Sequence, residues 1–211
     1  ASAGFEVVTF DDLSTGHAEA ASGHLIEGDI RNRELLTSVL SDGNFDAVMH
    51  FAAKSLVGES VAHPLRYYDV NVGGTASLVC AMQHAGVDCL VFSSTCAIYG
   101  NPQSLPLNEA HPQHPVSPYG ASKKMVEEVL AACRAKEGLR VTTLRYFNAA
   151  GCMPDGSLGE SRETETHLIP LAIAAAMGER PPLKLFGTDY DTPDGTCIRD
   201  YLHVLDLADA H

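Results

Sequence analysis

Apolar runs of strand length alternate along this chain with segments of helical period, and no other feature narrows its fold as much. Residues 5–10 (FEVVTF), 25–30, 47–53 (AVMHFAA), 89–94 (CLVFSS) and 140–147 (RVTTLRYF) read as strands, several with nearly continuous apolar character. Between them, residues 31–40, 65–85 and 117–136 carry helical spacing. Strands that are apolar on both faces and alternate with helices build a doubly wound parallel sheet, so the expected class is α/β. Gly86 stands where a left-handed cap would close the helix at 65–85. Ser117 and Pro118 supply an N-cap and a first helical residue, which puts Tyr119 in the first turn.

After Asn148 the character changes. Residues 149–196 are rich in glycine, proline and acidic residues, apart from a helical patch at 168–177 and a short strand at 183–186. The expected organisation is a first domain over 1–148, part of a smaller domain over 149–196, and a return toward the first domain over 197–211, with a helix from Val204 onward.

Composition excludes several function classes. Lys and Arg total 14 against 27 Asp and Glu, a net charge of −13, which argues against nucleic acid or an anionic membrane as partner. No apolar stretch approaches the roughly 20 residues that span a bilayer. Residues 1–8 have neither a basic start nor a long apolar run, so no secretory leader is expected. The 6 cysteines form no C-x-x-C pair and read as reduced thiols of a cytoplasmic protein. The 10 histidines show no H-x-x-x-H spacing, and no metal site is expected.

The strongest chemical signal is Tyr119-Gly120-Ala121-Ser122-Lys123, a Y-x-x-x-K at the start of a capped helix. Residues four apart share a helical face, and a lysine cation near a phenol favours phenolate, so the tyrosine pKa is expected to fall from about 10 toward neutrality. Ser93-Ser94-Thr95 follows a buried strand, at the strand end where open α/β sheets bind ligands. A hydroxyl there can relay a proton. Asp11-Asp12 ends the first strand, where a carboxylate can bind both ribose hydroxyls of an adenosine and disfavours a 2′-phosphate, so NAD is expected over NADP.

In this order the segments FDDL (10–13), EGDIRN (27–32), HFAA (50–53), VGESV (57–61), PLRYYDVNVGGT (64–75), FSSTCAIYG (92–100), SPYGASK (117–123), LRYFNAAG (144–151) and HLIP (167–170) resemble the extended short-chain dehydrogenase/reductase superfamily. With LFGTDYDTPDGTCIRDYLHVLDLA (185–208), the resemblance within it is to the UDP-glucose 4-epimerases. It implies an NAD-binding Rossmann fold with a smaller α/β substrate domain. It also implies that Asp11, Asp12, Leu13 and Ser14 line the adenosine ribose, that Asp29 and Ile30 contact adenine, and that Phe51, Ala52 and Ala53 lie under the cofactor phosphates. Asn71 becomes a cofactor-side asparagine, Thr95, Tyr119 and Lys123 the catalytic trio, and Phe147 a neighbour of the nicotinamide. Asn148, His167, Leu168, Lys184, Leu185, Phe186 and Arg199 fall at positions that hold UDP or the sugar, with Arg199 paired to the diphosphate and Thr95 and Tyr119 also meeting the sugar.

The implied reaction oxidises the sugar at C4 and returns hydride to the other face, interconverting UDP-glucose and UDP-galactose in a homodimeric enzyme. The alternatives are another nucleotide-sugar epimerase or dehydratase of the superfamily, or a non-catalytic nucleotide-binding protein. Dehydratases commonly carry Asp-Glu after the hydroxyl residue, where this chain has Cys96-Ala97; non-catalytic members typically lose the Tyr or Lys. Three departures stand out. Threonine replaces the usual serine at Thr95, Lys54 stands one position before the family's lysine, and His167 replaces an asparagine of some relatives. No G-x-x-G-x-x-G precedes Phe5. The expectation is a fragment that lacks the central first strand and a C-terminal part, and is inactive alone.

Overall fold

In the computed structural model, which describes residues 4–211, strand β1 (Val8–Asp11) runs parallel to β2 (His24–Glu27), with Val8 opposite His24. Residues 1–3 of the expected first domain lie outside the described residues. Helix α1 (Arg33–Asp42) is capped by Asn32, whose side chain accepts from the Leu35 amide at 3.1 Å. Strand β3 (Val48–His50) follows, then α2 (Val57–Ala62) and α3 (Pro64–Tyr67). A π-helical turn over Tyr68–Gly73 leads into α4 (Gly74–Ala85), which ends at Gly86 with φ +75°. The helix expected over 65–85 is thus one path of mixed pitch. Its extra residue per turn brings Asn71 and Thr75 to the buried side, at 1 % exposure each.

Strand β4 (Cys89–Ser93), a 3₁₀ turn over Cys96–Ile98, helix α5 (Pro118–Glu137) and β5 (Arg140–Leu144) complete this part. Strands β3, β4 and β5 form one parallel sheet in that order, while β1 pairs with β2 in another. The expected parallel α/β architecture is therefore present as two parallel sheets, and among the described residues no strand joins β1 to β3. The core comprises Leu36 and Leu40 of α1, Leu78, Val79 and Met82 of α4, Leu90 and Phe92 of β4, and Val126 and Leu130 of α5.

His50 closes β3 inside this core, 3 % exposed, with its Nε2 2.8 Å from Thr75 Oγ1 and its ring 5.5 Å from that of Phe92. Burial, then the nearby Lys123 charge, pushes its pKa down to about 3. The folded state therefore lacks a proton that the unfolded chain binds below about pH 6.5, and stability present above that pH is lost as it falls toward 3. Denaturant unfolding between pH 7 and 4 should show this as one proton of slope, about 1.4 kcal/mol per pH unit. His50→Asn should remove that component; an unchanged slope would place the acid sensitivity elsewhere.

Two compact units result: the described residues up to Ser14 with Ala21–Tyr146, and Thr15–Ala20 with Phe147–His211. In the second unit β6 (Asn148–Ala150) pairs in parallel with β7 (Tyr201–His203), accompanied by α6 (Leu168–Ala176) and α7 (Val204–Ala210). Residues 197–211 group with β6 in this unit. The strand expected at 183–186 does not form; Leu185 and Phe186 are exposed, with no facing strand to take their apolar side chains. All 6 cysteines are free thiols.

Candidate active site

Helix α5 begins as its sequence dictates. The Ser117 hydroxyl accepts from the Gly120 amide at 3.2 Å, with Pro118 in the first turn. Gly120 is buried, and a Cβ there would lie 2.6 Å from the Ala97 carbonyl oxygen. The absence of a side chain at 120 lets the first turn of α5 approach the 3₁₀ turn after β4. That approach brings Tyr119 beside Thr95, the N-cap of the 3₁₀ turn, whose hydroxyl acts to lower the phenol pKa. The Tyr119 ring stands edge-on to that of Tyr67, with centroids 6.4 Å apart and planes at 82°.

Lys123, one turn on, is 3 % exposed. Its Nζ donates to the Ser93 carbonyl at 2.8 Å and lies 4.8 Å from the centre of the Phe92 ring. Burial pushes its pKa down to about 8, against the opposing pull of Glu127. The Tyr119 phenol departs from expectation. Burial raises it above its ordinary value, more than the Thr95 hydrogen bond lowers it, and Tyr146 and Cys96 push the same way. The lysine does not bring the tyrosine toward neutrality here, because its ammonium is turned to the Ser93 carbonyl and the Phe92 face. In the protein alone Tyr119 is a neutral phenol beside a hydroxyl, one helical turn before an amine whose pKa burial lowers to about 8.

At the end of β1, Asp11 Oδ1 accepts from the Leu13 amide at 2.7 Å and Asp12 Oδ1 from the Ser14 amide at 3.0 Å. Hydrogen bonds from Ser14 outweigh the opposing effect of burial and keep the Asp12 carboxyl below its ordinary value. Lys54 Nζ donates to Ser14 Oγ at 3.0 Å, so this lysine joins the same turn. Asp29 is held by the Arg31 guanidinium at 2.5 Å, which lowers its pKa to about 2, and Ile30 is buried in the core. Phe51 and Ala52 follow β3 as exposed residues, and Ala53 is half-buried. Asn71 lies beneath them. Its Oδ1 accepts from the Lys54 amide at 2.8 Å, and its Nδ2 donates to the Lys54 carbonyl at 3.0 Å and to Ser122 Oγ at 2.9 Å. Its side chain therefore ties the loop after β3 to α5.

The residues expected to hold the nucleotide sugar lie in the second unit, with Phe147 at its start, 36 % exposed. Asn148 Nδ2 donates to the Asp200 carbonyl at 2.7 Å, which sets it beside the segment carrying Arg199. Arg199 is exposed, its Nη1 donating to the Ile198 carbonyl at 2.8 Å. His167 caps α6, followed by Leu168, and its Nδ1 is 2.5 Å from Glu160 Oε1. Lys184, Leu185 and Phe186 lie in an exposed loop. Glu160, Glu165 and His167 bring ligand atoms within 4.8 Å of one another, a grouping that H-x-x-x-H spacing does not encode. Exposed acidic groups of this kind are common without an ion, and the grouping assigns no metal. No helix among the described residues is long and apolar enough to cross a membrane.

Comparison with known proteins agrees with this fold. The family model described as "NAD dependent epimerase/dehydratase family" matches residues 1–211. A UDP-glucose 4-epimerase of Azospirillum brasilense is 54% identical over 211 residues, 99% of this chain and 61% of that protein. The crystal structure of UDP-glucose 4-epimerase from Brucella ovis in complex with NAD superposes with a TM-score of 0.97 at 49% identity, covering 100% of this chain and 65% of that one. That of the Bifidobacterium longum enzyme in complex with NAD+ and UDP gives a TM-score of 0.93 at 37% identity, over 99% and 66%. This chain thus spans about two thirds or less of each. With a match along its whole length and a shared fold, it belongs to the NAD dependent epimerase/dehydratase family.

Proposed function

We propose that this chain is the cofactor-binding portion, with part of the sugar-binding portion, of a UDP-glucose 4-epimerase that interconverts UDP-glucose and UDP-galactose in galactose metabolism. The observation that carries the reading is the convergence of Thr95, Tyr119 and Lys123 near the C-terminal end of β4: a hydroxyl beside a phenol, with a buried amine one turn along. The residues at the ends of β1 and β3 suit NAD. Asp11 spends one carboxylate oxygen on its own turn and keeps acceptor capacity for ribose hydroxyls, while two adjacent aspartates repel a 2′-phosphate. Asp12, Leu13, Ser14, Asp29, Ile30, Phe51, Ala52, Ala53 and Phe147 would complete that site, with Asn71 holding the loop after β3 in place.

When bound, NAD+ supplies the hydride acceptor and donor at sugar C4, and its positive ring adds charge that favours the phenolate. Tyr119 takes the proton of the C4 hydroxyl and later returns it, with Thr95 holding the phenol oxygen and Lys123 stabilising its anion. The resulting 4-keto sugar turns about its diphosphate before reduction from the other face. Arg199 offers the diphosphate a bidentate cation, and Asn148, His167, Leu168, Lys184, Leu185 and Phe186 line the nucleotide sugar. The resemblance to known epimerases supports a homodimer. The free thiols and acidic charge support a cytoplasmic enzyme that does not bind nucleic acid.

The test is to incubate the purified full-length protein with UDP-galactose and no added NAD. UDP-glucose should form, and denaturation should release NAD. Retained NAD without interconversion would move the reading to another nucleotide sugar. Absence of both would refute it.

A further inference from the structure

Glu127 lies on α5 one turn beyond Lys123 and two beyond Tyr119, on the face that carries both. Its side chain is 11% exposed, and it meets the exits of two neighbouring strands. From β5, Arg145 closes on it as a fork, Nε to Oε1 at 3.0 Å and Nη2 to Oε2 at 2.6 Å. From β4, the Ser94 hydroxyl donates to Oε1 at 2.5 Å. Arg145 is fixed in turn, with Nη1 donating to the Tyr99 hydroxyl at 2.9 Å and to the Glu109 carbonyl at 3.3 Å.

Ser94 immediately precedes Thr95. The backbone bonds Ser94 N to Leu144 O at 2.8 Å and Cys96 N to Tyr146 O at 3.1 Å bracket the hydroxyl residue. The groups facing Lys123 are His50 from β3, Phe92 and the Ser93 carbonyl from β4, and Glu127 from its own helix, which also carries Tyr119 one turn before it. His50 stays neutral there, burial being the main cause, so Glu127 is the anion acting on the lysine, with Arg145 behind it.

We propose that Glu127 is a positioning residue of the active site, acting through Ser94 to set the height of Thr95 against Tyr119 and through its charge to hold Lys123 as an ammonium. The two actions separate by substitution. Ser94→Ala removes the hydrogen bond and leaves the charge. Glu127→Gln removes the charge and leaves Arg145 uncompensated, which moves the Lys123 titration to lower pH.

The titration is read on the full-length protein without nucleotide sugar, by ¹⁵N NMR of the lysine Nζ, assigned against Lys123→Met. It therefore fails or succeeds independently of the epimerase reading, on which only the kinetic readout rests. Glu127→Gln is expected to lower the Lys123 midpoint by about one unit. The same variant should lower kcat by about tenfold or more, with KM for UDP-galactose within about twofold. Ser94→Ala should lower kcat while leaving the midpoint in place. Should Glu127→Gln fail to fold, the double variant Glu127→Gln with Arg145→Gln removes the anion without leaving a bare cation, and the Lys123 midpoint should then fall in the same direction by less, about half as far. A midpoint unmoved in the folded charge variant, or a full kcat in Ser94→Ala, overturns the corresponding half of the assignment.

Discussion

Tyr119→Phe is expected to slow interconversion of UDP-galactose and UDP-glucose by the full-length protein about a thousandfold, without loss of fold or of bound NAD. The substitution removes one oxygen. The edge-on contact with Tyr67, at 6.4 Å between centroids, persists because phenylalanine presents the same ring. The Ser117 cap and the Gly120 approach to Ala97 are backbone features that the change does not touch. What disappears is the proposed acceptor for the C4 proton, the phenol oxygen beside Thr95. Thr95 is 7% exposed and has no proton-accepting capacity comparable to a phenolate, and Lys123 is turned to the Ser93 carbonyl. Neither substitutes for the base. Turnover measured beside bound-NAD content separates the outcomes, and a variant keeping more than about a tenth of the rate would assign the proton transfer elsewhere.

Phe92→Ala should produce the largest stability loss of any single core change at the site, about 3–5 kcal/mol. Phe92 is 1% exposed and belongs to the same buried core as Leu90, Val126 and Leu130. It also carries two contacts that a methyl group cannot: the His50 ring at 5.5 Å and the Lys123 ammonium at 4.8 Å. Removal leaves a void directly under the Lys123 amine, and water entering it would reverse part of the desolvation that lowers the lysine. Chemical denaturation should show the loss, and thermal unfolding a midpoint lower by about 10 °C. Phe92→Leu, which refills most of the volume, should recover more than half of the stability but not the ring contact. A loss below about 1 kcal/mol in Phe92→Ala would contradict the packing described around β4.

Much of this was legible in the residues, for physical reasons that can be named. The runs at 89–94 and 140–147 became β4 and β5 because buried parallel strands need continuous apolar or β-branched residues. Ser117 and Gly86 fixed helix ends through local bonding and φ, which depend on few neighbours. The unread features depend on distant partners. Strands β6 and β7 are three residues each and gain their pairing across 52 positions, as Asn148 meets Asp200. The Tyr119 titration follows burial and its Tyr146 and Cys96 neighbours, which no spacing rule encodes. Glu127 drew no notice because Ser94 and Arg145, its partners, stand 33 and 18 positions away. The run at 183–186 had a strand's composition but no facing strand.

The π-helical turn at Tyr68–Gly73 makes the phase of this helical path adjustable by a single residue. Each residue added to or taken from an α-helix rotates everything beyond it by about 100°. Upstream of the turn, Tyr67 meets Tyr119; within it, Asn71 meets Ser122; downstream, Thr75 meets His50. Regular pitch throughout would leave these three contacts on diverging azimuths. The length of the segment is therefore as constrained as its composition. Deleting Val70 should uncouple the loop after β3 from α5 more thoroughly than most point substitutions.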